Sequence, residues 1–110
     1  MEKNESALEI TDKEFDEIIA NGHKLVLVDF FAEWCMPCLM LSPVIEELAE
    51  EIKEVKFVKV NVDDNKILAG KYGISSIPCM ILFKDGKEVD RLIGNQTAED
   101  IESKIRGYLG

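Results

Sequence analysis

Two rhythms of apolar and polar positions alternate along the chain. Leu25 to Phe31 is apolar at every position except Asp29, the pattern of a strand covered on both faces. Val55 to Val62 alternates, with Val55, Phe57 and Lys59 on one face and Val58, Val60 and Val62 on the other. Met80 to Phe83 and Lys87 to Ile93 flank an Asp85-Gly86 turn and predict a β-hairpin. Between these strands the period lengthens. From Met36 to about Lys53, Leu39, Met40, Val44, Ile45, Leu48 and Ile52 form a helical stripe. Pro43 lies inside that stripe, where its missing N–H and its ring predict a kink near Leu39. Asn65 to Tyr72 predicts a short helix ended by Gly73. Thr97 predicts the cap of a last helix with Ile101, Ile105 and Tyr108 facing inward.

The N-terminal part reads in the same way. Glu2 to Ser6 is expected as a polar tail, residues 1–6, ahead of a single domain over 7–110. Ala7 to Ile10 predicts a short edge strand. Thr11-Asp12-Lys13-Glu14 then has the form of a capping box, with Ile10 and Phe15 as its hydrophobic staple, and the helix stops at Asn21-Gly22. The resulting order is β-α-β-α-β-α-β-β-α. Connections that carry helices favour parallel strands, and the tight Asp85-Gly86 link makes the last pair antiparallel. An α/β fold follows, a mixed sheet with helices on both faces.

A length of 110 residues leaves room for one domain. The net charge of −9 argues against nucleic acid or an anionic membrane surface as a partner, because both need a basic face. The longest unbroken apolar run, Cys79 to Phe83, falls far short of the roughly 20 residues of a membrane span. Met1 to Glu5 has no basic n-region and no apolar h-region, so the expected location is cytoplasmic. Much of the acidity sits at Glu46, Glu47, Glu50, Glu51 and Glu54 near one helix end. That run reads as a solvated helix face, with a docking patch for a basic partner as the alternative.

Three cysteines are an odd count for a disulfide scaffold and direct attention to chemistry. Trp34-Cys35-Met36-Pro37-Cys38 joins the end of a buried strand to the start of a helix, which puts Cys35 and Cys38 at i,i+3, within reach of a disulfide. With Cys35 at the N-cap, its sulfur faces the unpaired N–H groups of the first turn and the positive end of the helix dipole. Both favour thiolate over thiol. Pro37 removes no needed donor there and stiffens the turn. Cys38, one turn in, is expected to be more buried and less acidic, which makes Cys35 the attacking sulfur and Cys38 the resolving one. Two other readings stand beside this one. Half of a zinc site lacks a second ligand pair, since only Cys79 and a loop residue, His23, remain, so no metal is expected. Two merely structural thiols fit poorly with the strand-to-helix position. No Gly-x-Gly-x-x-Gly is present, and no cofactor is expected.

The run Val28-Asp29-Phe30-Phe31-Ala32-Glu33-Trp34-Cys35, then Pro37-Cys38, Lys59-Val60-Asn61-Val62-Asp63, Tyr72-Gly73-Ile74, Ile77-Pro78, Leu82-Phe83-Lys84-Asp85-Gly86 and Gly94 resemble the thioredoxin family. The resemblance extends in order from about Ala7 to Tyr108. It implies a thioredoxin-like five-stranded sheet of order 1-3-2-4-5 with four helices on its two faces. It implies a cis Ile77-Pro78 peptide facing the cysteines, with Trp34, Met36, Pro37, Ile77, Pro78 and Gly94 around a bound substrate strand. Asp29 matches the family's buried aspartate, and its apolar flanks independently predict a desolvated carboxyl with a raised pKa, suited to act as base for Cys38 through a water. Lys59 is placed beside Asp29, either tuning it or snorkelling to solvent.

The chain also departs from the family pattern. Met36 stands where Gly is usual, and Leu39 where a cation usually follows the second cysteine, which withdraws one stabiliser of a Cys35 thiolate. Trp34, Met36, Leu39 and Ile77 are expected to form an apolar rim, against the plainer reading of local packing. Phe31 replaces a frequent Trp. Cys79 replaces a usual Thr and reads as a small buried strand residue, with a third redox thiol as the alternative. The implied activity is that of a protein-disulfide reductase, monomeric, acting on disulfide-containing proteins and recycled by a thioredoxin reductase. An oxidase or isomerase of disulfides, and a redox-inactive binding or chaperone-like module, are the alternatives.

Overall fold

The structure, a computed structural model, describes residues 7–110, so the expected tail at 1–6 lies outside the described residues. In chain order the elements are β1 (Leu8–Glu9), α1 (Asp12–Ala20), β2 (Leu25–Phe31), α2 (Met36–Glu51), β3 (Val55–Asn61), α3 (Lys66–Lys71), β4 (Cys79–Lys84), β5 (Lys87–Ile93) and α4 (Ala98–Leu109). The sheet has the order β1-β3-β2-β4-β5. β3 runs parallel to β1 and β2, whereas β4 runs antiparallel to β2 and β5.

Local chemistry accounts for most boundaries. The Glu14 carboxylate accepts the Thr11 N–H at 2.9 Å and so closes the start of α1. Asp100 N–H donates to Thr97 Oγ1 at 3.0 Å at the start of α4. Asp85 and Gly86 both take positive φ (55° and 77°), the combination that lets a two-residue turn follow the twist of its hairpin.

Alternation along β2 divides the core. Leu25 and Leu27 face α2 and α4, packing with Ile45, Leu48, Ile52, Phe57, Ile101 and Ile105. Val26, Val28 and Phe30 face α1 and α3 with Phe15, Val58, Val60, Leu68 and Phe83. Asp29 falls by the same alternation on the α2 side.

The helical stripe of α2 differs from its expectation. Cys38, Leu41, Ile45, Leu48 and Ala49 are its buried residues, whereas Leu39 and Met40 are exposed. Once Cys38 points inward, the i+3 and i+7 positions, Leu41 and Ile45, must follow it, and Leu39 and Met40 rotate out to solvent. The helix is continuous through Pro43 and ends two residues before the expected Lys53, with Ile52 closing it onto the Leu48 carbonyl at 2.8 Å.

Candidate active site

The site is built where β2 ends and α2 begins. Cys35 has extended backbone (φ −90°, ψ 104°) and is the N-cap of α2, and Pro37 lies in the first turn. The Cys38 N–H donates to Cys35 Sγ at 3.2 Å, and Leu39 N–H donates to the Cys35 carbonyl at 3.1 Å. The two sulfurs are joined as a disulfide, with Cα atoms 5.2 Å apart. The first-turn amide therefore points at the Cys35 sulfur, where a donor at a helix N-terminus favours negative charge.

The expected contrast in burial is small. Cys35 is 4% exposed and Cys38 2%, because Ala32, Phe31, Val62 and Ile77 close around both. What separates the two sulfurs is the cap position, which gives the amide to Cys35 alone. Around the pair, Trp34 (72% exposed), Met36 (64%), Met40 and Leu39 stand in solvent, and Pro37 is exposed beside them. Of the four residues expected in an apolar rim, Trp34, Met36 and Leu39 are exposed and Ile77 is only partly so, and Met40 is a further exposed apolar side chain on α2. Ile77 is half-buried, Pro78 is buried, the peptide between them is cis, and the Ile77 carbonyl oxygen lies 3.9 Å from Cys35 Sγ. Gly94, at φ 82°, donates its N–H to the Pro78 carbonyl at 2.9 Å and joins the β5–α4 loop to this segment.

Asp29 is 1% exposed, and its Oδ1 has no hydrogen-bond partner among the described residues. Burial pushes its pKa up to about 7, with the positive charge of Lys59 opposing that rise. Lys59 is the register partner of Asp29 across β2 and β3. Its side chain is mostly buried, and its ammonium is held on α2 and not on the aspartate: it lies 3.1 Å from Glu46 Oε2 and 3.4 Å from Ser42 Oγ.

Sequence reasoning missed two residues. The acidic run reads as a solvated helix face, yet Glu46 is half-buried and its Oε1 also accepts the Ala7 N–H at 3.1 Å. Its neighbours Glu47 and Glu51 are exposed as expected. The available signal was the position of Glu46 one residue after Ile45, on the flank of the buried stripe. Asp63 accepts the Trp34 indole N–H at 2.8 Å and is itself held by a turn in which Asn61 Oδ1 accepts its amide at 2.9 Å. Cys79 is a buried free thiol on the other face of the sheet, among Phe30, Val28 and Ile81, and burial pushes its pKa up. That environment matches the plainer reading of a packed strand residue.

A family model described as Thioredoxin matches residues 6–107. The chain belongs to the thioredoxin family. It is 54% identical to a thioredoxin of Chlamydia caviae over 97 residues, 88% of this chain and 90% of that one. It is 48% identical to a thioredoxin of Chlorobaculum thiosulfatiphilum over 93% of this chain and 95% of that one. A solved mutant thioredoxin from Halobacterium salinarum superposes with a TM-score of 0.89 at 33% identity, covering 100% of this chain and 97% of that one. With its dithiol closed as a disulfide at the N-terminus of α2, this thioredoxin-family chain is a thiol–disulfide oxidoreductase of the protein-disulfide reductase type. Among the described residues, no helix is long and apolar enough to cross a membrane.

Proposed function

We propose that residues 7–110 act as a single, monomeric cytoplasmic domain that reduces disulfides in other proteins, with Cys35 as nucleophile and Cys38 as resolving thiol. The observation that carries these roles is the Cys38 N–H aimed at Cys35 Sγ, 3.2 Å away. In the reduced protein that donor and the helix N-terminus stabilise a Cys35 thiolate. The thiolate attacks one sulfur of a substrate disulfide, forming a mixed disulfide and expelling the other substrate sulfur as a thiolate, which takes a proton from solvent. Cys38 then gives its proton to Asp29 through a water and attacks Cys35 Sγ. The Cys35–Cys38 bond closes, and the second substrate sulfur leaves. Two electrons have passed to the substrate, and a separate thioredoxin reductase returns them.

Asp29 suits proton acceptance because its burial holds it near pKa 7, where it gains and releases a proton at little cost. Lys59 tempers that value. An extended substrate segment lies against Trp34, Met36, Pro37, Ile77, Pro78 and Gly94, with apolar side chains favoured by the exposed Met36, Leu39 and Met40. Precipitation of insulin in dithiothreitol tests the reading: the protein accelerates it, and a mere binding module does not. Equilibration of the dithiol with a glutathione buffer tests the direction. A potential more reducing than the buffer supports the reductase, and a strongly oxidising one reassigns the chain as an oxidase or isomerase.

A further inference from the structure

Glu46 is part of none of the steps just described, yet its carboxylate joins three elements. Its Oε2 lies 3.1 Å from Lys59 Nζ on β3, and its Oε1 accepts the Ala7 N–H, at the start of the segment leading into β1, at 3.1 Å. Ser42, one helical turn earlier on α2, adds a contact to the same ammonium at 3.4 Å. Lys59 stands opposite Asp29 in the β2·β3 register, on the neighbouring strand. A long, flexible lysine in that place has two carboxylates to choose from, and the geometry gives it to Glu46 and Ser42. The side chains of Lys59 and Glu46 are only 13% and 20% exposed, so solvent screens the pair weakly.

We propose that Glu46 is a positioning residue for the exchange reaction: it holds the Lys59 ammonium on α2 and so keeps Asp29 free to accept a proton. The inference rests on the reading of Asp29 given above. If Lys59 swung across to Asp29, a direct ion pair would favour the charged carboxylate and weaken it as a base. Lys59 faces Asp29 from β3, Met80 is its register partner on β4, and Cys79 couples to it from the other face of the sheet. Cys38 on α2, whose proton Asp29 is proposed to take, is held in the disulfide of the oxidised protein and does not titrate there. Glu46 and Ser42 reach it from α2 by way of Lys59.

The test is the carboxyl titration of Asp29, followed by NMR in the oxidised protein, where no exchange takes place. Glu46→Gln keeps an acceptor for Ala7 and removes the charge that holds Lys59. It is expected to lower the Asp29 midpoint by about half a pH unit or more. Glu46→Asp, with a shorter carboxylate, is expected to restore most of the original value. In a Lys59→Met background Glu46→Gln is expected to leave the midpoint nearly unmoved, because the effect passes through the lysine. An equal shift in both backgrounds would overturn the proposal in favour of a direct field from Glu46. A lower melting temperature with no shift would overturn it in favour of a structural clamp on Ala7. Because the titration needs no turnover, its failure is distinct from failure of the role of Asp29, which Asp29→Asn kinetics report separately.

Discussion

The amide of Cys38 points at the sulfur of Cys35 across 3.2 Å, so a cysteine sulfur occupies the helix cap where hydroxyls and carboxylates commonly stand. The helix that must begin there for packing reasons thereby also polarises one sulfur of the pair. The roles proposed for the two cysteines rest on the direction of that single donor, since their burial is nearly equal.

Cys35→Ser is expected to abolish insulin reduction, because the remaining Cys38 thiol has no cap amide to stabilise its thiolate. Cys38→Ser is expected to accumulate covalent adducts with substrate proteins, visible as dithiothreitol-sensitive bands in non-reducing electrophoresis. Adducts recovered with the Cys35 variant instead would exchange the two roles.

Asp29 carries a sign that stability measurements can read. Its pKa rises from 3.8 to about 7 on folding, so the folded state binds the proton more tightly than the unfolded one. Its contribution is most favourable below about pH 4 and is progressively lost as pH rises to about 7. Asp29→Asn removes that loss. About three pH units at about 1.4 kcal/mol each give an upper bound on the order of 4 kcal/mol of added stability at pH 8. Urea denaturation at pH 4 and pH 8 is expected to show a larger gain at pH 8, with the resolving step slowed in the same variant. An equal gain at both values would assign Asp29 an ordinary carboxylate pKa.

Leu39 is half-exposed one residue beyond Cys38, within the first turn of α2. Leu39→Lys puts a cation near the capped sulfur and is expected to lower the Cys35 pKa by about half a unit, given the screening of an exposed charge. The ultraviolet absorbance of the thiolate followed against pH measures this. An unchanged midpoint would mean that the departure at this position has no electrostatic consequence.

The chain has one tryptophan, and its indole N–H bonds Asp63 at 2.8 Å. Asp63→Ala is expected to cost about 1 kcal/mol and to free the Trp34 ring, lowering its fluorescence anisotropy. If Trp34 docks the substrate, KM for a protein disulfide rises severalfold with kcat little changed. A fall in kcat alone would place the ring in the chemistry.

Phe15 is fully buried, 5.5 Å between centroids from both Tyr72 and Phe83, the latter edge-on. Phe15→Ala is expected to destabilise the fold by about 3–5 kcal/mol in denaturant titration, leaving the cysteine geometry on the far side of β2 intact. Loss of activity in the folded variant would show that the two faces of the sheet are coupled.

The strands at 25–31 and 55–61, the capped starts of α1 and α4 and the Asp85-Gly86 hairpin were legible in the residues because each rests on local chemistry: alternation, a cap a few residues away, a positive φ. The cysteine spacing was legible for the same reason, since one helical turn fixes the distance between positions i and i+3. The sheet order and the cis Ile77-Pro78 peptide came from resemblance, because pairing between distant strands leaves no local mark. Only the folded chain settled which face of α2 is buried, turning Leu39 and Met40 outward once Cys38 pointed in. Only it gave the Lys59 ammonium to Glu46, 13 residues earlier, instead of to its register partner Asp29. A long charged side chain selects its partner by distance and desolvation in three dimensions, and neither quantity is written in the order of the residues.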